Sequence, residues 1–299
     1  MSKQHPVVAV TGSSGAGTST VKVAMEHIYR RNGFSAAIVE GDSFHKYDRK
    51  SMGPAIESAS ANGEVLSHFG ASGNEFGKLE ELFKEYGNSG AGKTRKYLHN
   101  ELEAEPYKQD PGTFTEWEDI KAGTDFLFYE GLHGGVIDEP NDVNVARHVD
   151  LLIGVTPIVN LEWIQKIHRD TQDRGYATSK VTDTILRRMH DYVHYMTPQY
   201  SNTHINFQRV PLVDTSNPFI ARDIPSLDES LVVIRFGPKL YRQVDYGYLL
   251  NMLNGSYMSR KNSIVIPGGK MSFALETIIE PLIKNLVATG ELEWRREMV

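Results

Sequence analysis

Short runs of consecutive apolar residues recur along the chain and alternate with segments whose apolar residues have helical spacing. The runs predict strands at residues 6–10, 36–40, 125–129, 149–155, 207–213, 231–236 and 263–266. The helical spacing predicts helices after the first strand, near 78–86, and over 161–174, 181–195 and 271–287, whereas the rest of 51–124 is polar and irregular. Such alternation indicates an α/β fold with a largely parallel or mixed central sheet and helices on both faces. No Pro/Ser-rich linker divides the chain, so we expect a single domain over residues 1–299.

A glycine-rich segment lies between the first predicted strand and the first predicted helix, which ends at Asn32-Gly33. Its spacing is that of the P-loop, G-x-x-x-x-G-K-[ST], from Gly12 to Ser19, with Thr18 where the motif has lysine. Backbone N–H groups and a helix N-terminus bind phosphate in such a loop, and the Ser19 hydroxyl is the expected Mg²⁺ ligand. The alternative is a glycine-rich turn without a ligand. The predicted nucleotide-binding residues are Gly12, Ser13, Ser14, Gly15, Ala16, Gly17, Thr18, Ser19 and Thr20.

Two acidic residues follow neighbouring predicted strands, Asp42 after 36–40 and Glu130 after 125–129. Ligands of parallel sheets bind at the carboxyl ends of the strands, so both side chains are expected beside the glycine-rich loop. A kinase needs a carboxylate near its Mg²⁺ and a base near the accepting hydroxyl, which Glu130 and Asp42 could provide. The alternative for each is a solvated loop acid or a helix N-cap.

Basic residues form three groups that could meet the charge of a phosphate. His45 and Arg49 follow Asp42 closely, a second group occupies 93–99, and a third lies in the predicted helix 161–174. Lys166 and Arg169 are three residues apart and share a helix face, so they could replace the charge that Thr18 lacks. The alternative is that cations simply favour a helix C-terminus.

Composition excludes several classes of protein. The 32 Lys and Arg residues against 38 Asp and Glu give a net charge of −6, which argues against nucleic acid as the main ligand. The chain has no Cys, which excludes disulfides and thiol chemistry. No apolar run approaches the ~18 residues of a membrane span, so we expect a cytoplasmic protein without a membrane partner.

With these residues in view, the sequence resembles the bacterial phosphoribulokinase family, among the P-loop kinases similar to uridine kinase. Thr18 at the lysine position also resembles the bacterial family. The motifs that carry the resemblance are VTGSSGAGTST (Val10–Thr20), EGDSFH (Glu40–His45), LFYEGLHG (Leu127–Gly134), NLEWIQKIHRD (Asn160–Asp170) and NFQRVPLVDTSNPF (Asn206–Phe219).

The resemblance implies a reaction of ATP with ribulose 5-phosphate that gives ribulose 1,5-bisphosphate and ADP. It implies that Asp42 is the base on the sugar O1 and that Glu130 lies beside Mg²⁺ and the nucleotide. Lys166 and Arg169 would act in a lid, around residues 158–180, over the triphosphate.

The resemblance also implies roles in substrate binding and control. His45, Arg49 and Arg174 would hold the sugar phosphate, and His99 matches a histidine near the sugar. Members of that family form homo-oligomers and are activated by NADH, so the resemblance implies both properties for this chain. The positions that resemble the family's regulatory arginines are Arg31, Arg235 and Arg260.

Two other functions stay open on the sequence. One is a P-loop kinase for another small hydroxyl acceptor such as a nucleoside, which would not need Arg49 for an acceptor phosphate. The other is a nucleotide-binding regulatory protein that lost catalysis with the P-loop lysine, against which the presence of Asp42 and Glu130 argues.

Overall fold

The structure, a computed structural model, describes residues 5–13 and 18–294, except the side chains of residues 18 and 19. Its main element is an eight-stranded sheet. The strands are, in chain order, β1 (Val7–Thr11), β2 (Ala36–Glu40), β3 (Phe126–Gly131), β4 (Leu151–Val155), β5 (Ile205–Pro211), β6 (Ser230–Phe236), β7 (Tyr257–Arg260) and β8 (Ser263–Pro267).

The sheet combines a parallel and an antiparallel part. Its spatial order is β7-β8-β6-β5-β4-β1-β3-β2. Strands β2, β3, β1, β4 and β5 pair in parallel, whereas β6, β8 and β7 are added antiparallel to one another and to β5. The predicted mixed, largely parallel sheet is confirmed.

Helices of very different length connect and cover the strands. They are α1 (Thr18–Asn32), α2 (Arg49–Ala61), α3 (Phe76–Ser89), α4 (Glu101–Ala104), α5 (Val159–His168), α6 (Thr178–Arg187), α7 (Met189–Asp191), α8 (Tyr246–Met252) and α9 (Met271–Thr289). Single π-helical segments follow α5 and α7, at Arg169–Asp173 and Tyr192–Met196. Two-residue strands pair at Lys93–Thr94 with Glu118–Asp119, and at Ile137–Asp138 with Val143–Asn144.

The two faces of the sheet are covered by different helices because side chains alternate along each strand. Val8 and Val10 of β1 lie in one apolar cluster with residues of α1 and α9. Val7 and Ala9 of the same strand lie in a second cluster with residues of α3. The predicted arrangement of helices on both faces is therefore confirmed.

Several elements were not predicted from the sequence, among them α2, α4, α8 and β7. Residues 49–61 form helix α2, which was predicted to be irregular, and Asp48 caps it by accepting a hydrogen bond from the Ser51 N–H (2.7 Å). Only Met52 and Ala59 of this helix are buried, so it lacks the apolar face that marks a helix in a sequence. The edge strand β7 was also missed, because all four of its residues are exposed.

Other differences concern boundaries. The strand predicted at 207–213 occupies Ile205–Pro211, and the helix predicted over 181–195 is divided between α6, α7 and a π-helical segment. The helix predicted over 161–174 is α5 plus its π-helical extension. Gly175 follows with φ +70°, a left-handed conformation that glycine adopts without steric cost. Within the described part of the chain, no helix combines the length and apolar character needed to cross a membrane.

Candidate active site

Asp42 lies on a 3₁₀ turn, Gly41–Phe44, directly after β2. Its carboxylate is contacted by two histidines, His45 Nε2 at 3.2 Å from Oδ1 and His99 Nε2 at 3.8 Å from Oδ2. Its side chain keeps 42% of its surface exposed, so a substrate can reach it. Burial acts to raise the pKa of Asp42, but the hydrogen bond and charge of His45, with His99 and His68, lower this pKa to about 2. Asp42 is thus a carboxylate at neutral pH.

The turn that carries Asp42 packs against the end of β3 through two glycines. A Cβ atom on Gly41 would lie 2.8 Å from the Gly131 Cα and 2.5 Å from the Tyr129 hydroxyl oxygen. A Cβ atom on Gly131 would lie 2.7 Å from the Gly41 Cα. Any larger residue at either position would separate the two strand ends, so these glycines hold Asp42 close to the end of β3.

Arg95 fixes the backbone between Asp42 and His45. Its guanidinium donates to the Ser43 carbonyl oxygen (2.8 Å) and to the His45 carbonyl oxygen (2.7 Å). The same group stacks over the ring of Phe114, with 3.8 Å from its central carbon to the ring centre. Sequence reasoning assigned no role to Arg95, because it is one of several cations in the group 93–99.

Arg49 and His99, both predicted to bind substrate, lie together beside Asp42. Arg49 is the first residue of α2, and its Nη2 donates to the His99 carbonyl oxygen (2.8 Å). The Arg49 N–H donates to the Gly112 carbonyl oxygen (2.9 Å), and a Cβ atom on Gly112 would lie 2.6 Å from the Arg49 Cβ. The structure therefore places Asp42, His45, Arg49 and His99 in one cluster.

Glu130 lies near the end of β3, the strand that pairs with both β1 and β2. It is in register with Val10 of β1 and Glu40 of β2, so two carboxylates end neighbouring strands. Glu40 forms an ion pair with Lys22 of α1 (2.8 Å), and this hydrogen bond, together with the charge of Glu130, raises the pKa of Lys22 despite its partial burial. Lys22, which sequence reasoning missed, is a cation one helical turn beyond Thr18.

The donor set fits a magnesium ion that is held mainly by the nucleotide. Within residues 5–13 and 18–294, no three His, Asp or Glu side chains are grouped to hold a metal by themselves. Mg²⁺ in kinase sites takes one or two carboxylates and completes its shell with phosphate and water oxygens. Glu130 at a strand end, beside the loop, is a suitable carboxylate.

The flanks of the glycine-rich loop are firmly bonded. The Gly12 N–H donates to the Gly131 carbonyl oxygen (3.2 Å), and the Thr11 hydroxyl contacts Leu132 and the buried Gln199, both at 2.9 Å. The predicted phosphate-binding residues Ser14, Gly15, Ala16 and Gly17 lie outside the described residues. Thr18, Ser19 and Thr20 begin α1, as the P-loop pattern requires, although the Thr18 and Ser19 side chains are not described.

The three cations predicted on the lid contact one carboxylate, Asp170. Lys166 pairs with its Oδ2, while Arg169 Nε and Arg174 Nη1 lie 3.3 Å and 3.2 Å from its Oδ1. Burial and the nearby charge of Arg188 lower the pKa of Lys166, and the paired cations lower that of Asp170 against the effect of burial. Lys166 and Asp170 are nearly inaccessible, with exposed side-chain fractions of 9% and 6%.

A second set of buried polar residues lies next to this cluster. Tyr192 donates a hydrogen bond to Glu162 Oε2 (3.1 Å), and burial raises the pKa of Glu162. Arg188 is buried with its guanidinium over the ring of Phe69 (4.4 Å), and burial lowers its pKa to about 10. Neither Glu162 nor Arg188 follows a predicted strand, so the sequence offered no signal for them.

The three predicted regulatory arginines do not gather in one place. Arg235 and Arg260 line one cavity of 340 Å³, together with Asn206, Gln208 and Asn262. Arg31 instead pairs with Glu276 and Glu280 of α9. The alternation along β6 puts Arg235 on the sheet face opposite α9, so Arg31 lies on the other side of the sheet from the cavity.

The mixed, largely parallel sheet, the P-loop sequence between β1 and α1 and the carboxylates at the ends of β2 and β3 define a P-loop kinase. The family model described as "Phosphoribulokinase / Uridine kinase family" matches residues 7–216. The chain belongs to this family, as the sequence motifs predicted.

Several similar proteins match over nearly the whole chain. The chromosomal phosphoribulokinase of Cupriavidus necator is 55% identical over 289 residues, which are 96% of this chain and 97% of that protein. The probable phosphoribulokinase of Escherichia coli is 55% identical over 293 residues, which are 98% of this chain and all of that protein. A solved structure of phosphoribulokinase from Rhodobacter spheroides is 51% identical and superimposes with a TM-score of 0.87 over 97% of this chain and 99% of the other.

Proposed function

We propose that this protein transfers the γ-phosphoryl group of ATP to O1 of ribulose 5-phosphate, giving ribulose 1,5-bisphosphate and ADP. The observation that carries the proposal is the cluster of Asp42, His45, Arg49 and His99 at the carboxyl end of β2. It combines a base with cations for an acceptor that already carries a phosphate. The similarity to phosphoribulokinases over nearly the full length supports the same reaction.

Asp42 is the group that takes the proton of the sugar hydroxyl. A bond forms between O1 and the γ-phosphorus, the bond from that phosphorus to the bridging oxygen breaks, and ADP leaves with the bridging oxygen. The O1 proton moves to the Asp42 carboxylate. Because the pKa of Asp42 is only about 2, it is a weak base that accepts the proton late, when the new O–P bond has acidified O1. Loose phosphoryl-transfer transition states permit this timing.

Glu130, with Ser19, would hold the magnesium ion beside the nucleotide. When bound, the ion neutralises charge on the β- and γ-phosphates. Glu130 is suited to this role by its position at the end of β3, in register with β1 and therefore next to the loop.

Arg49 would bind the phosphate group of the sugar, and Arg174 would join it from the lid, whereas the ring nitrogens of His45 already contact Asn74 and Asp42. A guanidinium forms charge-assisted hydrogen bonds to phosphate that are stronger than neutral ones. Arg49 keeps donor groups beyond the one used on the His99 carbonyl oxygen, since a guanidinium has five.

Residues 158–180 would act as the lid that brings the missing positive charge to the transferred phosphoryl group. Lys166 and Arg169 now contact Asp170, and closure over ATP would present them to the phosphates. Gly175 at φ +70° is the position where the chain direction changes after the π-helical segment. Such coupling of closure to charge placement would limit ATP hydrolysis in the open state.

A coupled assay of ADP release tests this function against its alternatives. Ribulose 5-phosphate, uridine and no acceptor are compared at equal ATP and magnesium concentrations. The proposal predicts rapid ADP release with ribulose 5-phosphate and little release with uridine or without an acceptor. Release with uridine would indicate a nucleoside kinase, and no release with either acceptor would indicate a regulatory nucleotide-binding protein.

We also propose that the protein is a cytoplasmic homo-oligomer. We further propose that NADH activates it and that Arg235 and Arg260 bind this effector in the cavity they line. Arg235 is anchored there, since its Nη2 donates to the Tyr200 carbonyl oxygen (2.7 Å), and Arg260 is exposed. Arg260→Ala should abolish the NADH response without changing activity in its absence. Arg222→Ala, at another surface arginine, is the control that should retain the response. Light scattering of the wild-type protein tests the assembly.

A further inference from the structure

Asn74 is a buried residue that contacts the histidine beside Asp42. It is 2% exposed and lies just before α3, at an isolated bridge with His45. Its Nδ2 donates to the Gly70 carbonyl oxygen (2.7 Å) and to the His68 carbonyl oxygen (3.0 Å). Its Oδ1 lies 2.7 Å from His45 Nδ1.

These contacts fix the orientation of the Asn74 amide and the tautomer of His45. Rotating the amide by half a turn would point its oxygen at two carbonyl oxygens, so the amide nitrogen must face Gly70 and His68. The amide oxygen is then an acceptor for His45, and Nδ1 must carry a proton. A free neutral histidine has no such constraint on which nitrogen is protonated.

The fixed tautomer determines what His45 presents to Asp42. With Nδ1 protonated, a neutral ring would direct the Nε2 lone pair at Asp42 Oδ1, 3.2 Å away. Two acceptors facing each other at that distance repel. A proton between Nε2 and Oδ1 removes this repulsion, so the geometry favours Nε2 as a donor to Asp42 Oδ1.

We propose that Asn74 is a positioning residue that acts through His45: it holds Nδ1 protonated and the ring aimed so that Nε2 shares a proton with Asp42. This proposal rests on the proposed function, in which Asp42 accepts the O1 proton. His45 would restrain Oδ1 and leave Oδ2 for the substrate hydroxyl. The result is a base of fixed orientation and low basicity, which suits a late proton transfer.

The groups around His45 leave Asp42 as the carboxylate that its ring contacts. The His68 ring lies against the His45 ring at a tilt, 4.4 Å between centres. Burial, followed by the charges of His45 and Arg188, lowers the pKa of His68 to about 3. Burial likewise lowers the pKa of nearby His133 to about 3. Arg95 donates to the backbone carbonyl oxygen of His45 and not to its ring. His68 and His133 are thus neutral neighbours, and Asp42 is the anion that the ring faces.

A double-mutant cycle in kcat tests whether Asn74 acts through His45. Asn74→Ala should lower kcat by about 10²-fold, the scale of a catalytic group misplaced by roughly 1 Å, with a smaller change in KM for ATP. In a His45→Gln background, the same change should have almost no further effect. Equal losses in both backgrounds would overturn the proposal, because they indicate a structural role only. Asn285→Ala, which removes another buried asparagine that donates to a backbone carbonyl oxygen, should leave kcat unchanged.

The tautomer can be measured without any activity assay. Nitrogen NMR on ¹⁵N-histidine-labelled protein, with His45 assigned from the signal that His45→Gln removes, reports which ring nitrogen is protonated. The proposal expects protonated Nδ1 in the wild type under all conditions, including those in which the ring is neutral. A neutral ring protonated on Nε2 alone would overturn it. This readout needs no substrate, so failure of the proposed kinase reaction would be seen separately in the ADP-release assay.

Discussion

Replacing Lys166 by methionine tests whether this lid residue contributes to catalysis or only to the stability of the fold. Lys166 is buried and paired with Asp170, so its loss could in principle leave a buried charge alone. Here it does not, because Arg169 and Arg174 remain 3.3 Å and 3.2 Å from the other carboxylate oxygen. Methionine has a similar length and apolar stem and fills the same space. We therefore expect a stability cost well below the roughly 3–5 kcal/mol of an uncompensated buried charge.

The expected effect on the reaction is much larger. Thr18 leaves the P-loop without its usual lysine, so Lys166 is expected to supply positive charge to the phosphates only when the lid closes. Removing one preorganised donor of this kind costs about 10²–10³-fold in kcat, or roughly 2.7–4 kcal/mol of transition-state stabilisation. The affinity for ATP in the open state should change less.

The assay is steady-state ADP release with saturating ribulose 5-phosphate, combined with thermal unfolding of the same samples. Lys84→Met, at an exposed lysine of α3, is the matched control and should keep full kcat. Thr18→Lys added to Lys166→Met should restore part of the activity if the two positions share a role. A Lys166→Met enzyme with nearly wild-type kcat would refute the lid mechanism and leave its cations as partners of Asp170.

Four further outcomes are expected. Asp42→Asn should lower kcat by about 10²–10⁴-fold with nearly unchanged ATP affinity, measured by equilibrium binding; a nearly normal kcat would remove Asp42 as the base. Arg49→Ala should raise KM for the sugar phosphate by roughly 10–150-fold and KM for ATP little, and equal increases would contradict its assignment. The pKa of Asp42 is lowered from 3.8 to about 2, so its stabilising contribution is complete above pH 4 and is lost as pH falls toward 2. The free energy of unfolding in urea should therefore fall less between pH 5 and pH 3 for Asp42→Asn than for the wild type. Dithiothreitol should not change activity, because the chain has no Cys, and a reversible several-fold change would count against this.

The sequence predicted the elements whose order is itself a strong signal. Strand, glycine-rich loop and helix are consecutive in the chain, and Asp42 and Glu130 each lie at or directly after the end of a strand. Parallel pairing of β2 and β3 then brings the two acids to one edge of the sheet. The order of these elements in the chain, together with the rule that ligands bind at the carboxyl ends of parallel strands, was sufficient to predict that the two acids lie close together.

The residues that support the site could not be predicted because their partners are distant in the sequence. Asn74 acts on His45 across 29 positions, and Arg95 reaches the same loop across 50. Gln199 bonds to Thr11 across 188 positions. An asparagine or glutamine in such a place has no local pattern, and its role appears only when the chain is folded.

Identification of the phosphorylated oxygen tests the central claim most directly. Proton-coupled ³¹P NMR of the product made from ATP and ribulose 5-phosphate distinguishes attachment sites, because the phosphorus couples to the protons on the carbon that bears the ester. Transfer to O1, a primary alcohol oxygen, predicts two phosphomonoester triplets, one from each terminal methylene, and formation of the same product about 10²–10⁴-fold more slowly with Asp42→Asn. A new doublet from a secondary alcohol, or inorganic phosphate as the only product, would contradict the account.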